Sequence, residues 1–230
     1  MSDIAVEDHY FEYGSLKYFR DGAENVQICS YGAKHAEVFG PGAYLEVQNL
    51  VKRADLAGKV AYVTTATVDW EHQSAAAVEV NGKISYFVAS GQGAVSGSYS
   101  DVKKANLKLM KFVINEGPLQ KILNQDAAGA LKFLGDEGAN GRIVNQIWLG
   151  LAGTLEEQFT SALAAGGSVS ATVEGASLVL GVQGKGSSSA HATIVLDPGA
   201  PFAYGLCKVS NWDDHRTRIA DLSDDYYGMK

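Results

Sequence analysis

Alternation of small apolar and polar residues over 166–209 constrains this chain more than any other feature. Val169, Ala171 and Val173 fall on one face of an extended strand, with Ser168, Ser170, Thr172 and Glu174 on the other. After Gly175, Leu178, Leu180 and Val182 repeat the pattern against Gly181, Gln183 and Lys185. A Gly/Ser break over 184–189 follows, and then Ala190, Ala192, Ile194 and Leu196 alternate with His191 and Thr193. Asp197-Pro198-Gly199 is turn chemistry, with proline presetting φ and glycine free to take positive φ. Phe202 to Val209 reads as a closing strand. Such alternation fits an antiparallel sheet with one solvated face. Any half-buried sheet alternates in this way, so the pattern alone favours that reading; the sharper one is membrane β-strands, in which lipid-facing and lumen-facing residues must alternate.

The run from Ala192 to Val209, ATIVLDPGAPFAYGLCKV, resembles the last strand pair of the gasdermin pore-forming domain. The Gly/Ser-rich strands before it resemble the second membrane-inserting hairpin of the short bacterial and fungal gasdermins. Arg142 to Leu151, RIVNQIWLGL, sits where that family places the strand entering the hairpin. The resemblance is closest over 142–209 and thinner over 60–125. It implies an α+β fold: a twisted antiparallel sheet with short helices, like the gasdermin N-terminal domain. It implies a protein that assembles with copies of itself, or with a sequence-divergent homologue, on acidic phospholipid membranes. There it would form a β-barrel and cause lytic, regulated cell death, as in innate immunity or allorecognition. A cytoplasmic protein relocating to the plasma membrane, with no cofactor, would follow. The short fungal regulator-of-cell-death type, or the bacterial type, lacks the large repressor domain, and the length of this chain matches it. A bacterial member often carries an acylated cysteine near its start, and none stands there in this sequence. The reading from another class is a non-lytic β-rich binding module, lectin-like or toxin-immunity-like.

The chain has 230 residues, 46% hydrophobic and 20% charged, which suits one globular domain. Its net charge of −7 argues against a general affinity for nucleic acid. Cys29 and Cys207 stand in apparent strands and read as buried, inert thiols. The start, MSDIAVEDHYFEYG, has acids where a secretory signal has basic residues and an apolar run. No stretch approaches the ~20 apolar residues of a membrane helix. These features predict a chain made in soluble form, with any membrane role reached by conformational change.

Val26 to Ser30 and Tyr44 to Val51 read as strands, with Gly40-Pro41-Gly42 as a turn. Val60 to Trp70 alternates, with Val60, Tyr62 and Val68 on one face. Ala75–Val80 and Lys83–Ser90 flank Asn81-Gly82, a type I′ hairpin signal, with Ile84, Tyr86 and Val88 on one side. The resemblance makes 60–99 the first inserting hairpin. The membrane-strand residues are then Val60, Tyr62, Val68, Ile84, Tyr86, Val88, Val169, Ala171, Val173, Leu178, Leu180, Val182, Ala192 and Ile194. In the family, basic residues of the first helix and a nearby loop touch acidic headgroups. By that resemblance Lys17, Arg20, Lys52 and Arg53 are the lipid-binding candidates, although acids interleave with them here.

Over 101–114, Val102, Ala105, Leu109, Met110 and Val113 predict an amphipathic helix capped by Ser100, with Lys104, Lys108 and Lys111 together on another face. Such a basic helix lies on an anionic membrane or packs on a sheet with its lysines in water. Pro118 fits the start of a helix over Leu119–Asn124, and Ala127–Leu134 predicts another. After Val209 the pattern stops, so 1–209 reads as the pore-forming domain and 210–230 as an acidic tail, either frayed or inhibitory.

Enzyme signatures are weak. Gly91, Gly93 and Gly97 miss the dinucleotide spacing, and Gly184-Lys185 lacks the rest of a phosphate loop. No nucleophile elbow occurs, and His9, His35, His72, His191 and His215 lack metal-ligand spacing.

Overall fold

The computed structural model describes residues 4–36, 42–56, 59–73, 84–87, 94–165, 168–173, 176–181, 191–192 and 201–227. In chain order the strands and helices are β1 (Ile4–Val6), β2 (Tyr10–Tyr13), β3 (Leu16–Phe19), β4 (Ser30–Ala36), β5 (Ala43–Leu50), α1 (Arg53–Leu56), β6 (Val60–Thr67), β7 (Ile84–Phe87), β8 (Ala94–Gly97) and α2 (Tyr99–Lys104). There follow β9 (Lys108–Ile114), α3 (Glu116–Gln125), α4 (Ala128–Glu137), β10 (Gly141–Leu151), α5 (Gly153–Ala165), β11 (Ser168–Val173), β12 (Ala176–Gly181), β13 (His191–Ala192), β14 (Pro201–Asp213) and β15 (Arg218–Asp225). The α+β class holds: the strands form a large, nearly closed, barrel-like sheet carrying a few short helices. All its ladders are antiparallel except the contact of β10 with β7.

At the centre run four antiparallel strands in the order β14-β10-β9-β6. Every residue of β10 is buried, because core lies on both sides of it. On one side Ile143, Ile147 and Leu149 pack among Phe112, Tyr204 and the helices. Leu119, Ile122 and Leu123 of α3, and Ala130 and Leu134 of α4, supply stripes at the 3–4 residue spacing that a helix needs to lie on a sheet. On the other side Trp148 meets Phe11, Tyr13 and Tyr18, with ring centroids at 5.0, 5.0 and 5.6 Å. Gly32 of β4 stands where a Cβ would lie 1.9 Å from the Glu46 carbonyl oxygen. Gly32→Ala is therefore expected to cost at least ~1–3 kcal/mol, read as a lower urea midpoint with an unchanged slope.

Four sequence expectations are corrected. The helix over 101–114 is only α2, closed by a capping box of Ser98 and Asp101 rather than by Ser100. Asn106 takes φ 47°, a left-handed conformation that asparagine tolerates, and the chain continues as β9. Because β9 carries apolar residues on both faces (Leu109 and Val113 on one, Met110, Phe112 and Ile114 on the other), its sequence also satisfied a helical period. The strand expected from Val26 does not form, and β4 begins only at Ser30. Cys29 sits at φ 63° in a buried turn, its amide donating to Val144 O at 2.8 Å. The strand from Val60 ends at Thr67, with Trp70 in a short 3₁₀ turn.

The fourth concerns 210–230. The boundary at Val209 falls inside β14, and β15 pairs with β14 from Arg218↔Asp213 to Asp225↔Leu206. Irregular register between Val209 and Trp212 breaks the two-residue period, so buried Ile219, Leu222 and Asp225 recur every third residue. Asn124 of α3 donates to Ile219 O (2.9 Å) and accepts from Ile219 N (2.8 Å), while Gln120 donates to Ile219 O and Ala220 O. Amide side chains thus stand in for a neighbouring strand at this edge. Through the end of β14 and the whole of β15, residues 210–213 and 218–225 are part of the sheet.

Candidate functional site

Two features of the molecule are candidates for a functional role: one end of the central sheet, and a polar cavity lined from five of the fold's elements.

Residues 68–107 connect β6 to β9, and residues 152–200 connect β10 to β14. Thr67 pairs with Lys108, Lys108 with Leu151, and Leu149 with Pro201. Both long connections therefore leave from the same end of the four-stranded sheet. Within the second, β11 and β12 form a separate antiparallel hairpin with Val169 opposite Leu180 and Ala171 opposite Leu178. By register Val169, Ala171 and Val173 stand opposite Leu180, Leu178 and Ala176, in line with the alternation, while Ser168, Ser170 and Thr172 stand opposite Gly181, Val179 and Ser177. Ala192 pairs with Val60, placing β13 along the edge of β6 that faces away from β9. Val182 and Ile194 lie outside the described residues. Within the first connection β7 and β8 pair, Ile84 with Gly97 and Phe87 with Ala94. Asn81-Gly82, the strand expected over Ala75–Val80, and Val88 lie outside the described residues. Val60, Val68 and Tyr86 are buried and Tyr62 packs against the core, so in this form those four belong to the interior.

The basic candidates divide. Lys52 and Lys104 are exposed. Lys17 lies 3.8 Å from the centre of the Tyr10 ring, and Lys108 donates to Thr67 Oγ1 at 3.3 Å. Arg53 begins α1. Arg20 is corrected: it is 2% exposed, donates to Glu7 O at 2.6 Å and lies over the Phe202 ring. Burial draws its guanidinium down to about 10 despite Asp8 and Asp21. Lys111 is corrected too, because its ammonium donates to Tyr18 Oη at 2.7 Å inside the fold. Desolvation lowers the Lys111 pKa against the pull of Asp224, and burial pushes the Tyr18 phenol up to about 12. Since β9 is a strand and α2 ends at Lys104, the three lysines Lys104, Lys108 and Lys111 share no face.

Around Lys111 the structure assembles groups that sequence spacing kept apart. A cavity of about 590 Å³ is lined from β6, β9, β10, the start of α3 and β15. An irregularity between Val144 and Gln146 in β10 lets Asn145 and Gln146 reach one carboxylate. Asn145 Nδ2 donates to Asp224 Oδ1 at 2.7 Å, Gln146 Nε2 to Asp224 Oδ2 at 3.1 Å, and Tyr226 Oη to Asp224 Oδ2 at 2.6 Å. Opposite Gln146 stands Gly205, where a Cβ would come 3.0 Å from the Gln146 side chain. With both amide nitrogens turned to Asp224, Asn145 Oδ1 and Gln146 Oε1 are buried without partners among the described residues. An unmet buried acceptor costs roughly 1–3 kcal/mol. Nothing in the sequence marked this cluster except the polar pair NQ inside an otherwise apolar strand. Among the described residues no His, Cys, Asp and Glu side chains converge as a metal site.

No protein family, no curated protein and no solved structure matches this chain.

Proposed function

We propose that this chain is a gasdermin-like, membrane pore-forming protein. It oligomerises on acidic-lipid membranes and contributes four strands per copy to a β-barrel, opening the membrane in regulated cell death. One observation carries the reading: two long connections leave the same end of the four-stranded sheet β14-β10-β9-β6. Each is long enough to supply two membrane strands of about 9–11 residues. Lengthened in place, they would continue β6 and β9 as one hairpin and β10 and β14 as the other. Lipid offers no partner for a backbone edge, so such strands must close into a ring with neighbouring copies. The hairpin β11–β12, whose register sets Val169, Ala171 and Val173 against Leu180, Leu178 and Ala176, suits that environment. Parts of both connections pack on the sheet in this form: Tyr86 is buried, Phe87 pairs with Leu151, and β13 covers β6. Insertion requires those contacts to open, so membrane binding precedes it.

Exposed Lys52 and Lys104 are accessible headgroup contacts, against a net charge of −7. Dye-loaded vesicles test the reading. Leakage is expected from vesicles containing acidic phospholipid, and binding should weaken as salt shortens the Debye length below ~8 Å. Intact vesicles at every lipid composition would instead favour a non-lytic binding module.

A further inference from the structure

A smaller cavity of about 410 Å³ carries an inference that goes beyond pore formation and does not rest on it. Its walls are the 3₁₀ turn at Gly138 and Ala139 and the strands β10, β14 and β15. Ile143 pairs with Cys207, so the antiparallel register sets Arg142 opposite Lys208, and Lys208 in turn pairs with Ser223. Directly opposed residues share a face, so these three side chains form a row across adjacent strands, and all three line the cavity. Arg142 is 9% exposed. Its Nε and Nη1 are engaged by Asp225, Ala139 O and Gly141 O. Nη2 makes no hydrogen bond among the described residues, yet it is not sealed from solvent. The Lys208 ammonium has only the Tyr227 ring, 6.0 Å away, and the Ser223 hydroxyl has no partner among the described residues.

Charge around this row is unbalanced. Asp225 serves both Arg142 and Lys34, while Lys208 has no ion pair among the described residues. Burial lowers the Lys34 pKa against the pull of Asp225, and the charges of Arg142 and Lys208 lower it further, so the three cations stand within electrostatic reach of one another. Three cations thus share one carboxylate. Among the described residues no carboxylate lines the cavity. Glu137 and Asp221, which flank its walls, are exposed, and Asp224 turns to the other side of β15. We propose that this cavity binds a phosphate monoester as its dianion, the terminal oxygens accepting from Arg142 Nη2, Lys208 Nζ and Ser223 Oγ. The dianion matches the excess of positive charge, and its three terminal oxygens match three donors without partners. A carboxylate or a phosphodiester brings only two such oxygens and a single charge. The group is that of a small phosphorylated solute, or of a phospholipid whose headgroup is a bare phosphate.

Calorimetric titration of the full chain with glycerol 3-phosphate, inorganic phosphate and acetate tests the site. Both phosphates should bind saturably and at least about tenfold tighter than acetate. Lys208 is half-buried and makes no ion pair among the described residues, so Lys208→Gln should melt like the parent chain. It should nevertheless weaken phosphate binding about tenfold or more. Ser223→Ala removes only a hydroxyl without a partner and should weaken binding roughly threefold. Competition by phosphatidylcholine vesicles containing phosphatidic acid, with none from vesicles containing phosphatidylglycerol, identifies the headgroup as the source. Absence of competition from both, with free glycerol 3-phosphate still bound, identifies a solute. The inference is overturned if neither phosphate binds, if acetate binds as tightly, or if phosphatidylglycerol vesicles compete as well as phosphatidic acid ones. It is equally overturned if either variant, folded, binds glycerol 3-phosphate undiminished. Vesicle leakage is read separately, so either conclusion can fail alone.

Discussion

Asp225→Asn is expected to destabilise the chain by about 3 kcal/mol at neutral pH, because it leaves buried Arg142 and half-buried Lys34 without their counter-charge. Asp225 is 1% exposed, accepts from Arg142 Nε at 2.6 Å and from Lys34 Nζ at 2.8 Å, and ties the end of β15 to β4 and β10. Arg142 also donates to Ala139 O and Gly141 O, and Lys34 to Tyr227 O, so neither can swing into water without further loss. For a chain of this size the melting temperature should fall on the order of 10 °C. Burial alone would raise the Asp225 pKa, but hydrogen bonds from Lys34 and Arg142 outweigh it and hold the carboxyl below its ordinary 3.8. A depressed carboxylate contributes stability that is fully present above the unfolded value. That stability is lost as pH falls through the folded value. Denaturant titrations of parent and variant should therefore differ at pH 7 and converge below about pH 3.8. A variant as stable as the parent at pH 7 would show that β15 is held by its ladder to β14, the α3 amides and its apolar residues, without help from the Asp225 ion pairs. The same contacts mean that removing 210–230 should unfold the sheet rather than simply release it.

Ala171→Arg is expected to abolish vesicle leakage while vesicle binding persists, whereas Thr172→Arg largely spares leakage. Ala171 stands opposite Leu178, on the apolar face, and Thr172 opposite Ser177, on the polar one. An arginine facing lipid near mid-membrane costs roughly 2–4 kcal/mol. Every copy in a ring would carry that cost, so even its lower end should stop insertion. Thermal melts of the two variants come first, since leakage is comparable only between folded proteins. Equal leakage from two folded variants would mean that 168–173 does not cross the membrane as a strand, and the pore-forming reading would lose its main support.

The residues themselves determined the alternating strands of β11 and β12 and the helices α3 and α4, whereas the strand of β10 was placed by the family resemblance. The former rest on local rules: period-two alternation fixes which residues share a face, and Leu119, Ile122 and Leu123 fall on one side of any helix that contains them. Where a strand carries apolar residues on both faces that contrast disappears. So β9 passed for a helix, and the aspartates of 218–225 passed for a solvated tail. Adjacent residues of a strand point to opposite sides, so Asp224 meets Asn145, Gln146 and Tyr226 while Asp225 meets Lys34 and Arg142. No spacing rule relates Lys34 to Asp225, 191 residues apart, or Tyr18 to Lys111, 93 apart. Nor does composition reveal that the connections 68–107 and 152–200 emerge side by side. Those pairings depend on which strands lie next to which, and that order is settled when the whole sheet buries its two apolar faces at once. Local sequence chose the elements; only the assembled sheet decided that charge would be drawn into its interior.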